Sequence, residues 1–223
     1  MLIPKQMFYI WFGDNIPNYT NIVINQFKEL HPDYKVDLIH YNVEELNDVQ
    51  KTKDKLLIKA DEYVVKKSQN YLNGKRSYII EMADIYRSLL IDEYGGFFSD
   101  LDIFMIRKIP EKFLTFQKVS CTIMYNPYVL YKEISWFGSY KYSDRKKYAT
   151  EIYTIPFGGY IQNDNDSYYL ERKRKFFNGT LTNEDYDKFR MIEGIQKYQI
   201  AEHFAAHSWH NTQLTNKDIY IKR

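Results

Sequence analysis

Residues 7–12, MFYIWF, form an unbroken apolar and aromatic run closed by Gly13-Asp14-Asn15. So short a run between turn residues predicts a buried strand. Ile22, Val23, Phe27 and Leu30 then recur at helical spacing. They predict a helix capped by Asn18 or Thr20 and stopped by His31-Pro32-Asp33. Residues 35–41 alternate as a second strand, with Val36 and Leu38 on one face and His40 a candidate third. The polar, Lys-rich stretch 43–72 reads as helical. From Ser77 a helix carries the apolar stripe Ile80, Ala83, Ile85, Leu89, Leu90 and Tyr94, and Gly95 suits the left-handed residue after its end. Residues 97–99 make a short strand, and 119–125 and 152–161 are further strand candidates. Residues 183–194 look helical, and 197–206 fit either a strand or a helix. The strand–helix–strand order predicts an α/β fold with a mainly parallel central sheet flanked by helices. No repeat or Pro/Gly-rich hinge divides the chain, so residues 1–223 read as a single domain.

Composition narrows the function. With 31 basic and 29 acidic residues, the net charge of +2 supplies no field for nucleic acid. The 22 tyrosines reflect residue-usage bias or half-buried, ligand-stacking surfaces. Two basic clusters, at 145–147 and 172–175, read as solvated faces or as peripheral contacts with an anionic membrane. The one cysteine, Cys121, lies in an apolar run and excludes an internal disulfide framework. No stretch has the pattern of a signal peptide or a membrane span, so the expected setting is cytoplasmic.

The chemistry concentrates around one helix and the strand after it. Asp84 and Arg87 are three apart, on one helical face, and interrupt an otherwise apolar helix; buried charges of this kind demand partners. Asp100 and Asp102 are two apart, which in an extended segment aims both carboxylates to one side. Such a pair calls for a positive counter-charge, and a hard divalent cation that also takes phosphate oxygens answers it. A strand end opened by Gly95-Gly96 is where α/β sheets bind ligands. His203 and His207, four apart, are candidate third metal ligands or ordinary hydrogen-bonded histidines. Gly74-Lys75-Arg76-Ser77 lacks the earlier glycine of a phosphate-binding loop, and no G-x-G-x-x-G follows a strand. Residues 157–160 (FGGY) read as a tight turn or an acceptor-side loop.

An ordered set of short motifs carries a resemblance. Ile3-Pro4-Lys5 and Ile10-Trp11-Phe12-Gly13 come first, then Ala83-Asp84-x-x-Arg87, Tyr94-Gly95-Gly96-x-x-x-Asp100-x-Asp102, and late Ser208-Trp209. Together they resemble the DXD-containing sugar transferases of glycosyltransferase family 32, which include fungal initiating α-1,6-mannosyltransferases and bacterial capsule and polysaccharide enzymes. The glucosyltransferase domain of large clostridial toxins is more distantly similar. The resemblance implies a single GT-A type α/β domain. It implies that Trp11 stacks on the nucleotide base, although core packing beside Phe8, Ile10 and Phe12 is the competing reading. It implies that Asp84 and Arg87 hold donor sugar or ribose, and that Asp100 and Asp102 bind manganese or magnesium, Asp102 directly. Ser208 and Trp209 would close over the diphosphate. Where the family commonly has Tyr-Leu-Asp, this chain has Phe98-Ser99-Asp100.

The expected activity is transfer of a hexose-type sugar, with retention, from a nucleoside-diphosphate sugar to a glycan or other hydroxyl acceptor. UDP-sugars are favoured over GDP-sugars, and the setting is glycan or surface-polysaccharide synthesis. Arg87 would help stabilise the leaving diphosphate. A nucleotide-sugar hydrolase or phosphodiesterase and a non-catalytic carbohydrate-binding module are the other classes compatible with these residues.

Overall fold

The structure, a computed structural model, describes residues 2–68, 78–116, 118–126, 129–139, 152–157, 167–186 and 200–204. A six-stranded sheet runs in the order β2-β1-β3-β6-β5-β7. Next to the β2 edge, β1 (Gln6–Phe12) pairs in parallel with β2 (Lys35–Tyr41) and β3 (Gly96–Ser99). β6 (Val129–Ser139) is antiparallel to both β3 and β5 (Lys118–Asn126), and β5 is parallel to β7 (Ile152–Phe157). Five of the six strands therefore share a direction, as the α/β reading requires. A separate ladder joins β4 (Ile103–Met105) to β8 (Ala201–His203).

Both faces of the sheet are covered, which explains the unbroken apolar run of β1. Met7 and Tyr9 face a core built with α1 (Thr20–Leu30), β4 and Phe176; Phe8 and Phe12 face a second core built with the helices that link β2 to β3. β2 alternates as expected: Val36 and Leu38 join the first core, Ile39 and Tyr41 the second. Gly96 needs to be glycine. Its φ is +97°, and a Cβ there would stand 2.8 Å from the Gln6 carbonyl oxygen.

Several expectations change. Tyr19, not Asn18 or Thr20, stands at the N-cap of α1, with no side-chain cap; the Thr20 N–H bonds instead to the Pro17 carbonyl, a turn that makes a polar cap unnecessary. The stretch after residue 43 forms three helices rather than one. These are α2 (Val43–Asn47), α3 (Val49–Thr52) and α4 (Lys55–Ser68), the break before α4 made by Lys53 with φ of 58°. Asp54 then bonds the backbone N–H groups of Leu56 and Leu57. α5 (Tyr78–Tyr94) buries Ile79, Met82, Tyr86, Leu90 and Ile91, of which only Leu90 belongs to the stripe read from the sequence. Tyr94 is exposed and Ile80, Ile85 and Leu89 are only half-buried, because apolar residues surround this helix and its periodicity does not choose a face. The ambiguous stretch 197–206 yields β8, a strand. Strand β6 and helix α6 (Ser167–Phe177) were not anticipated: their aromatic and basic residues blur both periodicities.

The cluster at 172–175 is not a uniformly solvated face. Arg172 is buried against Glu202, and Lys175 pairs with Asp185, while Arg174 is exposed. Residues 145–147, 158–161 and 187–199 lie outside the described residues, as does Ser77; only residues 184–186 of the helix expected at 183–194 are described and helical. No described helix is long and apolar enough to cross a membrane.

Candidate functional site

α5, β3 and the turn after it assemble the charged residues. The Ile103 N–H bonds the Asp100 carbonyl at 3.3 Å, so Asp100-Leu101-Asp102 forms a turn rather than the extended segment expected. The turn directs each aspartate to its own partner within one charged cluster.

Arg87 is the hub on one side. Its Nη2 lies 2.5 Å from Asp84 Oδ1 and its Nη1 donates to Asp100 Oδ1 at 3.1 Å. The guanidinium is only 8% exposed and stands 5.1 Å from the centre of the Phe98 ring. The Asp84–Arg87 face expected from their spacing is therefore real, and it is buried. Both terminal nitrogens are engaged by carboxylates, which makes Arg87 a brace between α5 and the Asp100 turn.

β8 supplies the other side. His203 pairs with Ile103 across the β4–β8 ladder, and the Phe204 N–H bonds the Asp102 carbonyl at 2.9 Å. His203 Nε2 comes within 3.2 Å of Asp102 Oδ1. Of the two candidate histidines, His203 thus meets the aspartate pair; His207 lies outside the described residues, as do Ser208 and Trp209.

Three carboxylates face one guanidinium, so acidic groups outnumber the fixed positive charge. Burial pushes the Asp100 carboxyl up to about 7; Asp102 and Asp84 add to this, while Arg87 and His203 oppose it. Among the described residues no group of three or more His, Cys, Asp or Glu makes a ready metal cage. The donor set still fits a hard divalent cation. Magnesium-type ions are commonly held by one or two carboxylates together with substrate phosphates, and the acidic excess suits a cation.

Trp11 sits half-buried on the β1 face shared with Met7 and Tyr9, against the first core; its indole N–H is buried without a hydrogen-bond partner. The packing reading thus accounts for much of its surface. Ser99, at the position where the family commonly has leucine, is fully buried at the end of β3. The sequence reading missed Glu202 and Tyr186. An acidic residue inside the apolar run Ile200-Ala201-Glu202-His203-Phe204 was the available signal, because a buried carboxylate must have a partner.

Residues 17–120 match the family model described as a glycosyltransferase sugar-binding region containing a DXD motif, and this span holds Asp84, Arg87, Asp100 and Asp102. The match covers just under half of the chain and makes that region similar to the DXD-type glycosyltransferases. Among solved structures, the chain is similar to one titled PaToxG Glycosyltransferase, with TM-score 0.43 and 14% identity over 99% of this chain and 76% of that one. No curated protein matches its sequence. Trp11 and His203 fall outside the span that the family model matches.

Proposed function

We propose that the enzyme moves a hexose-type sugar, with retention, from a nucleoside-diphosphate sugar to a hydroxyl acceptor, on a GT-A type fold and with manganese or magnesium as cofactor. One observation carries the reading: Asp84, Arg87, Asp100, Asp102 and His203 converge at the C-terminal end of β3, with acidic groups in excess. Strand ends of this kind are where α/β sheets bind nucleotides.

In this reading Asp100 and Asp102 hold the cation, with His203 beside Asp102. When bound, the cation offsets charge on the diphosphate. Asp84 faces the donor sugar or ribose, and Arg87 keeps Asp84 and Asp100 in register. Because both Arg87 Nη atoms already meet carboxylates, its help to the leaving diphosphate acts through those residues. The bond from the sugar C1 to the diphosphate oxygen breaks, and its electron pair leaves with the diphosphate. The acceptor oxygen bonds to C1 and its proton passes to a phosphate oxygen of the leaving group. Trp11 is the candidate base platform, with Ser208 and Trp209 at the diphosphate. UDP is the favoured nucleotide over GDP. A cytoplasmic role in glycan or surface-polysaccharide synthesis, peripheral to a membrane through the basic segment 145–147, completes the proposal.

The test is a thermal-shift panel of UDP- and GDP-sugars with and without manganese, followed by turnover with and without acceptor. Stabilisation scales with ligand concentration over Kd. The expected result is a metal-dependent rise in melting temperature with a UDP-sugar, and donor consumption that depends on acceptor. No response to either nucleotide with manganese sinks the reading; equal consumption without acceptor makes the enzyme a hydrolase.

A further inference from the structure

α6 grips β8 at the two residues that flank His203. Arg172 and Phe176 are four apart on one face of α6 and meet Glu202 and Phe204 respectively. Arg172 donates from Nε to Glu202 Oε2 at 3.0 Å and from Nη2 to Oε1 at 2.8 Å, a bidentate fork. The Tyr186 hydroxyl donates to the same Oε2 at 2.5 Å, and the Arg172 guanidinium lies 5.3 Å from the centre of the Tyr186 ring. Arg172, Glu202 and Tyr186 are respectively 4%, 2% and 1% exposed. Phe176 stacks on Phe204 with centroids 4.4 Å apart.

Side chains alternate along a strand, so fixing 202 and 204 on one side aims 203 to the other. There His203 Nε2 meets Asp102. A buried ion pair is a poor source of stability, since well-packed apolar residues often do as well or better. What a bidentate fork adds is direction. We infer that Arg172, Glu202 and Tyr186 form a positioning group that holds His203 against Asp102. Its link to turnover rests on the proposed function; its structural half does not.

The experiment pairs two readouts. The His203 ring carbon–proton correlation, assigned by its loss in His203→Gln, is followed by NMR in the presence and absence of Asp102→Asn. The same backgrounds are assayed for kcat and donor KM. In the otherwise native protein, Asp102→Asn shifts the His203 signal. The double variant Arg172→Met/Glu202→Leu keeps the fold, because no charge is left unpaired, but its His203 signal no longer answers Asp102→Asn. Its kcat falls roughly 10–100-fold, as loss of an orienting partner does. Glu202→Gln, which retains acceptors for Arg172 Nε and Tyr186, recovers part of both. Should the double variant fail to fold, Tyr186→Phe removes a single donor and gives a smaller change in the same direction. An unaltered His203 response in a folded variant overturns the inference whatever its turnover. A lost response with unaltered kcat supports the positioning and removes His203 from the reaction. A native protein without turnover defeats the proposed function, while the NMR readout still decides the positioning.

Discussion

Arg87 Nη1 lies 3.1 Å from Asp100 Oδ1, tying the middle of α5 to the turn that carries both DXD aspartates. The same guanidinium holds Asp84, so removing it takes the shared cation from two carboxylates that are 19% and 36% exposed. Arg87→Met is expected to destabilise the fold by about 1–3 kcal/mol, less than breaking a fully buried pair costs, because both carboxylates keep contact with water. Arg87→Lys recovers only part, because a point charge cannot serve both carboxylates as a fork does. Urea unfolding of the three proteins checks this; an Arg87→Met protein as stable as the native one would show that the brace carries no load.

Asp102→Asn removes one negative charge and leaves the turn intact, since its backbone carbonyl still accepts the Phe204 N–H. Turnover is expected to fall by about two orders of magnitude or more, in the range seen when a group that stabilises developing charge is lost. Circular dichroism should stay native. Full activity in this variant would remove the metal assignment.

His31 gives the fold a pH dependence of known sign. Its Nδ1 faces the Phe27 carbonyl at 3.1 Å, its Nε2 accepts the Ile109 N–H at 2.7 Å, and its ring stacks on Phe27. An acceptor nitrogen holds the ring neutral, and burial lowers its pKa to about 4 from 6.5; Phe27, Asp33 and Glu111 oppose the shift and Lys108 adds to it. The unfolded chain therefore binds the proton first. This stabilisation is complete above about pH 6.5 and is lost as pH falls toward 4, in total on the order of 3 kcal/mol. His31→Gln should flatten that slope in denaturant melts taken between those limits.

Gly138 shows how tightly β3 is packed. A Cβ there would fall 2.3 Å from the Phe97 ring, which is fully buried and also packs on Trp136. Gly138→Ala is expected to cost about 1–3 kcal/mol by overpacking. Phe97→Leu should restore part of that loss in the double variant, measured by thermal melting.

Local pattern made much of the fold legible. β1, β2, α1 and the run from α5 into β3 were readable because each packs a contiguous set of apolar residues against the core. Asp84, Arg87, Asp100 and Asp102 stood out as charges set in apolar surroundings. α6 and β6 escaped because their burial depends on partners far away in the chain. The face of α5 escaped too, since a helix with apolar residues all round is oriented only by what packs on it.

By itself, then, the order of residues determined the α/β alternation, the DXD motif and the charges that needed partners. Tertiary structure decided which partners they found: Arg87 between Asp84 and Asp100, His203 against Asp102, and Glu202 in the fork of Arg172. Periodicity reports burial averaged over neighbours in the chain, whereas an ion pair forms only where two distant backbones are brought within a few ångströms by packing. That is why the acidic half of the site is visible in one dimension, while His203 could be named there only as one of two candidates and its contact with Asp102 could not.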